Sequence, residues 1–300
     1  MAEFINSNNK SALLIGLGGI GKNVYWPELV KHGYSVTTVD NVNKADFSNI
    51  EDVSGTFDVA IICVPNYLHS FFADKIATFC KTILIEKPGL PSADQWNALC
   101  DKHPDTRFIM CKNNLYRDSY GCFDNLENIS DPVSIKIKWI NKNRVPNPGY
   151  WSTDRKTAWG GVALDLFPHL YCQMVRLFGS MEDFERANHL MMQKWTLEDL
   201  QGSDYGAISQ DGVYNVCDYA TENWLVQGKT LLEISASWKE GYDDQSIEVQ
   251  TIDSTYKWDF GLCPNDAYGK MIVAAETEDY DKHKALDTWI HKNLEVYHEG

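Results

Sequence analysis

Ala12-Leu13-Leu14-Ile15-Gly16-Leu17-Gly18-Gly19-Ile20-Gly21 joins an apolar run too short for a helix to a cluster of glycines. The run predicts a buried strand that enters a phosphate-binding turn. Gly16, Gly18 and Gly21 fit the pattern G-x-G-x-x-G. The first glycine allows the tight turn, the second lets backbone approach a pyrophosphate, and the third lets the following helix pack on the strand. Amides at that helix N-terminus, around Gly19 and Ile20, would face the anion. A nucleotide-triphosphate loop almost fits the same residues, since Gly16 and Gly21-Lys22 have its spacing, but Asn23 stands where magnesium binding wants Ser or Thr. A plain glycine-rich turn is the other alternative. Tyr34-Ser35-Val36-Thr37-Thr38-Val39 argues against it, because this β-branched strand ends in Asp40. A carboxylate about 20 residues past the last glycine is placed to accept hydrogen bonds from an adenosine ribose.

A chain of 300 residues with 44% hydrophobic and 12% aromatic content can bury a substantial core, and its length predicts two domains. We place them at 1–116, dinucleotide-binding, and 117–300, substrate-binding. No apolar run approaches the roughly 20 residues of a membrane span, and Met1–Lys10 is polar rather than signal-like, so a cytoplasmic protein is expected. A net charge of −15 and a pI near 4.9 exclude an extended surface for nucleic acid or anionic membrane. An anionic substrate would need a local basic pocket. The eight cysteines are scattered with no C-x-x-C pair, so reduced core thiols are expected and no metal site.

Strand and helix signals alternate through the first part. Ile20 to His32 reads as a helix that Pro27 should kink or shorten, with Gly33 as its stop. Val59–Val64 and Thr82–Ile85 are fully apolar strands of parallel-sheet type, and Phe108–Cys111 is a third. Helices are expected at about 67–80 and 92–102, and only a weak strand around Ala45-Asp46-Phe47. Such alternation marks an α/β doubly wound Rossmann sheet, whose ligands sit beyond the carboxyl ends of the strands. Asp40, Val64-Pro65-Asn66 and Glu86-Lys87-Pro88 all fall at such ends. Past Tyr116 the pattern changes to alternation, in Val133–Trp139 and Leu231–Trp238, with a hairpin of 245–251 and 255–260. This predicts an α+β second domain with a largely antiparallel open sheet, one strong helix between Val162 and Phe178, and a closing helix at about 283–296.

Within Gly160-Gly161-Val162-Ala163-Leu164-Asp165-Leu166-Phe167-Pro168-His169, Asp165 and His169 share one helix face in an otherwise apolar stretch. Such a pair serves equally as a satisfied structural contact or as a catalytic one. Together with Lys87 it forms a proton-handling set, in which histidine takes a hydroxyl proton while a nicotinamide takes hydride.

The order of these motifs resembles the glucose-fructose oxidoreductase and inositol dehydrogenase family, Gfo/Idh/MocA, over nearly the whole chain. The matching features are the glycine fingerprint, Trp26-Pro27, Val64-Pro65-Asn66 with His69, Glu86-Lys87-Pro88, and Gly160-Gly161 leading to Asp165 and His169. The resemblance implies an NAD(P)-dependent oxidoreductase acting on a hydroxyl or carbonyl of a sugar, nucleotide sugar or cyclic polyol. It assigns Lys87 to substrate and cofactor, His169 to acid/base chemistry and Asp165 to substrate positioning, and it puts a cis peptide before Pro88. Tyr116-Arg117 and Tyr150-Trp151 fall where relatives line a sugar pocket. It also implies homo-oligomers built through the open sheet. The same family contains non-catalytic sugar sensors and bilin reductases, which remain the alternatives. The short 40–58 connection and Cys172, where relatives often carry an acidic residue, depart from its pattern. Asp40 favours NAD over NADP, because a carboxylate would repel a 2′-phosphate.

Overall fold

A computed structural model of the chain describes residues 10–118, 129 and 132–298. Cys122 lies outside the described residues.

Five parallel strands, β1 (Lys10–Ile15), β2 (Tyr34–Val39), β3 (Phe57–Ile62), β4 (Cys80–Ile85) and β5 (Arg107–Met110), form one sheet in the order β2-β1-β3-β4-β5. The reversal of order between β1 and β3 opens a crevice at their carboxyl ends. Consecutive side chains of these strands fall into two different cores. Leu13, Ile15, Ala60, Ile62, Ile83 and Ile85 join the larger one, while Ala12, Leu14, Val59, Ile61 and Leu84 join a smaller one on the opposite face. The apolar runs are continuous because both faces are covered.

The smaller core is closed by Tyr25 and Leu29 and by Met271, Ile272 and Ala275 of a helix at Asp266–Thr277. The end of the chain thus returns to the first sheet. This helix was not anticipated from the sequence. Its Gly269 interrupts the helical signal for a packing reason, since a Cβ there would stand 2.3 Å from Glu28 Oε2.

Several expectations are corrected in detail. The segment after the glycines is a π-helical turn, Gly21–Tyr25, followed by α1 (Trp26–Lys31). Pro27 has no N–H to give, so regular α-helical bonding restarts at the joint. Residues 67–80 contain α2 (His69–Ile76) between two 3₁₀ turns, and α3 (Ala93–Lys102) begins at Ser92, whose side chain accepts from Gln95 N. Phe47 makes a single parallel bridge to Val39.

The second sheet has six strands: β6 (Ser134–Ile140), β7 (Phe184–Met192), β8 (Tyr219–Val226), β9 (Thr230–Ser237), β10 (Asp244–Gln250) and β11 (Thr255–Asp259). Their order is β11-β10-β6-β9-β8-β7, and every pair except β6–β9 is antiparallel. β7 and β8 escaped the sequence reading. β7 is a mostly exposed edge, and β8 turns Glu222 inward, where Tyr171, Arg186, Trp224 and Tyr297 all donate to its carboxylate. The covered face of the sheet packs on α4 (Val162–Phe178), which is buried along almost its whole length. The closing helix, α5 (Tyr280–Leu294), starts earlier than expected because Asp279 caps it. No helix of the described residues is long and apolar enough to cross a membrane.

Candidate active site

One cleft of about 1390 Å³ runs from the glycine turn to α4. Single small-molecule pockets span roughly 300–1,000 Å³, so there is room for a dinucleotide with a second molecule beside it. At one end lie Gly16, Gly18, Gly19, Ile20 and Asp40; at the other are Lys87, Asp165 and His169.

The glycines differ in their surroundings. Gly16 adopts a φ of 94°, and a Cβ on it would meet Cys63 O at 2.5 Å. A Cβ on Gly21 would stand 2.1 Å from Gly16 O, so Gly21 is a packing position and does not itself line the cleft. Gly18 and Gly19 face open space. Backbone is therefore bare where a pyrophosphate must approach.

Asp40 ends β2 and is already occupied. Its Oδ2 accepts from Leu17 N at 2.6 Å and Asn43 Nδ2 at 3.2 Å, and its Oδ1 accepts from Val42 N and Asn43 N. Burial pushes this carboxyl up, but the backbone donors outweigh it and hold the group below its usual range. A carboxylate offers about four lone-pair directions, so any further donor would take the place of the longest bond, that from the Asn43 amide.

Lys87 follows β4 and precedes a cis peptide to Pro88. Its ammonium contacts Asp165 Oδ1, and Asp165 Oδ2 accepts from Trp238 Nε1 at 2.8 Å. These two charged side chains are 24% and 22% exposed. Burial works against the Lys87 ammonium, but the charges of Asp165 and Glu86 raise its pKa nevertheless. Burial likewise disfavours the Asp165 carboxylate, and Lys87 and Trp238 hold it low. Glu86 is anchored behind, where Tyr25 Oη donates to it at 2.6 Å.

His169 lies one turn after Asp165 and stacks on Trp139, with ring centroids 5.4 Å apart. Its Nδ1 is buried and has no partner among the described residues, so only Nε2 is available to a ligand. Burial first, and then the Lys87 charge, push its pKa down to about 3, which makes it a neutral imidazole at pH 7.

The remaining expected site residues divide into two groups. Val64, Pro65, Asn66, Glu86, Pro88 and Trp151 line the cleft, and Asn66 Nδ2 also donates to Ala158 O at 3.0 Å, tying the two halves together. His69, Tyr116, Arg117 and Tyr150 do not line it. His69 is buried between Gly89 O and Val64 O. Tyr116 donates to Glu278, Arg117 is folded onto the carbonyls of Phe260, Gly261 and Leu262, and Tyr150 is exposed. Trp139, Arg144, Tyr205 and Trp238 are among the lining residues that the sequence did not point to. The two tryptophans sit at or just past the ends of β6 and β9, beside the first sheet's own strand ends, and that placement was their only signal.

Residues 10–109 match the family model described as "Oxidoreductase family, NAD-binding Rossmann fold", that of Gfo/Idh/MocA. Over these residues the chain is similar to that family. A provisionally assigned UDP-kanosamine synthase oxidoreductase subunit from Amycolatopsis mediterranei (strain S699) is 24% identical over 184 residues, 56% of this chain. The match spans about half of that relative, 51% of its length. Solved structures share the fold along nearly all of the chain. GenD2 from gentamicin A biosynthesis, in complex with NAD, has a TM-score of 0.72 at 14% identity, covering 95% of this chain and 93% of its own. KijD10, a 3-ketoreductase from Actinomadura kijaniata with NADP and TDP-benzene, gives 0.71 at 14%, covering 96% and 97%. The WlbA dehydrogenase from Bordetella pertussis, with NADH and UDP-GlcNAcA, gives 0.67 at 13%, covering 96% and 95%.

Proposed function

We propose that this protein is an NAD-dependent oxidoreductase that moves hydride between nicotinamide and a hydroxyl or carbonyl carbon of a sugar, with nucleotide sugars first among the candidates. One observation carries the reading: Lys87, Asp165 and a neutral His169 converge at the far end of a cleft whose near end is a glycine turn with bare backbone. Bound nicotinamide supplies the hydride acceptor or donor. Everything else falls to the chain.

In the oxidative direction the substrate hydroxyl gives its proton to His169 Nε2 while its carbon gives up hydride, so alcohol becomes carbonyl. Lys87 donates a hydrogen bond to the same oxygen and stabilises negative charge as it develops, which lets a weak base suffice. Asp165 holds the ammonium in place, and Trp238 holds Asp165. Trp139 fixes the plane of the imidazole. Reduction runs the same steps backwards.

Arg144 supports a substrate that carries an anion. It lines the cleft, and its Nε is buried without a hydrogen bond among the described residues; Asp204, 3.8 Å away, is 64% exposed. On a chain of net charge −15 such a guanidinium is a local basic pocket suited to a diphosphate or carboxylate. We also propose two units: a dinucleotide-binding unit of residues 1–116 completed by the C-terminal helices, and a substrate unit that self-associates through its open sheet. Sedimentation equilibrium at micromolar concentration tests the latter, and a monomer would refute it.

The experiment for the function is thermal-shift screening of sugars, sugar acids and nucleotide sugars with NAD present, followed by NADH formation with each stabilising compound. Stabilisation and turnover by a nucleotide sugar support the proposal. Stabilisation without turnover would make the protein a sensor.

A further inference from the structure

The loop that presents Lys87 continues as Pro88-Gly89-Leu90, and its Gly89–Leu90 peptide unit lies between two buried imidazoles. Gly89 O is 2.8 Å from His69 Nδ1. On the other side, Leu90 N donates to His291 Nε2 at 3.0 Å. His291 belongs to α5, at the far end of the chain.

The hydrogen bonds fix which nitrogen of His291 carries the proton. Its Nδ1 is 2.6 Å from Asp287 O, a carbonyl that can only accept, so Nδ1 is the donor. The Leu90 N–H can only donate, so Nε2 is bare. Trp96 stacks on the ring with centroids 4.5 Å apart at 24°. Asp287 is in turn held to the end of β5, where its carboxylate meets the Lys112 ammonium and accepts from Met110 N at 3.0 Å. Gly89 is what lets the ring come so close to the loop, because a Cβ there would stand 2.3 Å from His291 Nε2.

We propose that His291 is a positioning residue for the reaction: as acceptor for Leu90 N–H it sets the place of the Lys87 loop, and so where the ammonium meets substrate. The inference rests on the role given to Lys87 above. Catalytic groups tolerate little displacement, since a misplacement of about 1 Å can lower turnover about 100-fold.

Glutamine places an amide oxygen where Nε2 stands, whereas asparagine reaches only the Nδ1 position and phenylalanine keeps the stack without an acceptor. The test measures kcat, KM and NADH affinity for His291→Gln, His291→Asn and His291→Phe, with Lys87→Met as reference. For Asn and Phe we expect kcat to fall at least about 10-fold with NADH affinity within about 3-fold of wild type, and for Gln recovery to within about 3-fold. Should Phe fail to fold, the Gln–Asn pair decides. Adding His291→Phe to Lys87→Met should lower kcat no further. The inference is overturned by folded Asn or Phe variants with wild-type kcat, by Gln no better than Asn, or by imidazole ¹⁵N NMR that places the proton on Nε2. Full activity in Lys87→Met would instead overturn the proposed function.

Discussion

Asp165→Asn separates charge from shape at the site. Asparagine keeps the volume but offers one oxygen and one NH₂ where the carboxylate accepted from both Lys87 and Trp238. Whichever way the amide turns, one donor faces another donor, so one of the two hydrogen bonds is lost, at about 1–3 kcal/mol. The larger effect is on Lys87. Two unit charges 4 Å apart at an effective dielectric of about 20 attract by about 4 kcal/mol. The partial exposure of the pair, 24% and 22%, lowers this to about 2 kcal/mol. Burial of Lys87, now opposed mainly by Glu86, pulls in the same direction. The ammonium should therefore lose its proton more readily in the variant than in wild type, where Asp165 and Glu86 hold its pKa above the usual value. In turnover followed from pH 6 to pH 10, an alkaline fall should set in at lower pH for Asp165→Asn than for wild type. A variant whose profile has no alkaline limb would show that the Lys87–Asp165 contact does not govern the lysine's charge.

Trp238→Phe removes the donor to Asp165 Oδ2 and should lower kcat about 5- to 10-fold while leaving NADH binding unchanged; unchanged kcat would exclude a role in orientation. Asp40→Ala should raise the NAD dissociation constant at least about 10-fold and NADP's by less, read by fluorescence titration; an undiminished preference for NAD would assign the selectivity elsewhere. Acid stability should depend on His291, whose pKa burial pushes down to about 4, below the roughly 6.5 of an unfolded chain. Because the folded value is the lower one, the unfolded state binds more protons below about pH 6.5, and stability falls from there towards pH 4. Urea unfolding at pH 7 and pH 5 should show wild type losing about 1–2 kcal/mol more than His291→Gln, and equal losses would refute the assignment.

Most of the first sheet was legible because parallel strands covered on both faces have unbroken apolar runs, and Val59–Val64 can be read no other way. The glycine fingerprint was legible for a steric reason, since the atoms opposite Gly16 and Gly21 leave no space for a side chain. Lys87, Asp165 and His169 could be named because two of them interrupt an apolar helix. Their pairing was not visible, since Lys87 and Asp165 meet only through the packing of one sheet against the other half of the chain. β8 was lost because Glu222 occupies a core position, and its satisfaction by four donors from distant elements leaves no local trace. Tyr116 and Arg117 sit where a pocket was expected, but Arg117 finds three carbonyl acceptors in 260–262 and turns to them. His291 carries no motif at all; only the fold brings it to Leu90.

The central claim is that His169 Nε2 exchanges the substrate proton while Lys87 steadies the oxygen. The most direct measurement is single-turnover NADH formation by His169→Ala, with NADH affinity measured on the same folded protein. The account predicts a rate about 10²- to 10⁴-fold below wild type, NADH affinity within about 3-fold, and no additional loss of comparable size when Lys87→Met is combined with it. Wild-type turnover in His169→Ala would contradict it and leave α4 as a core element alone.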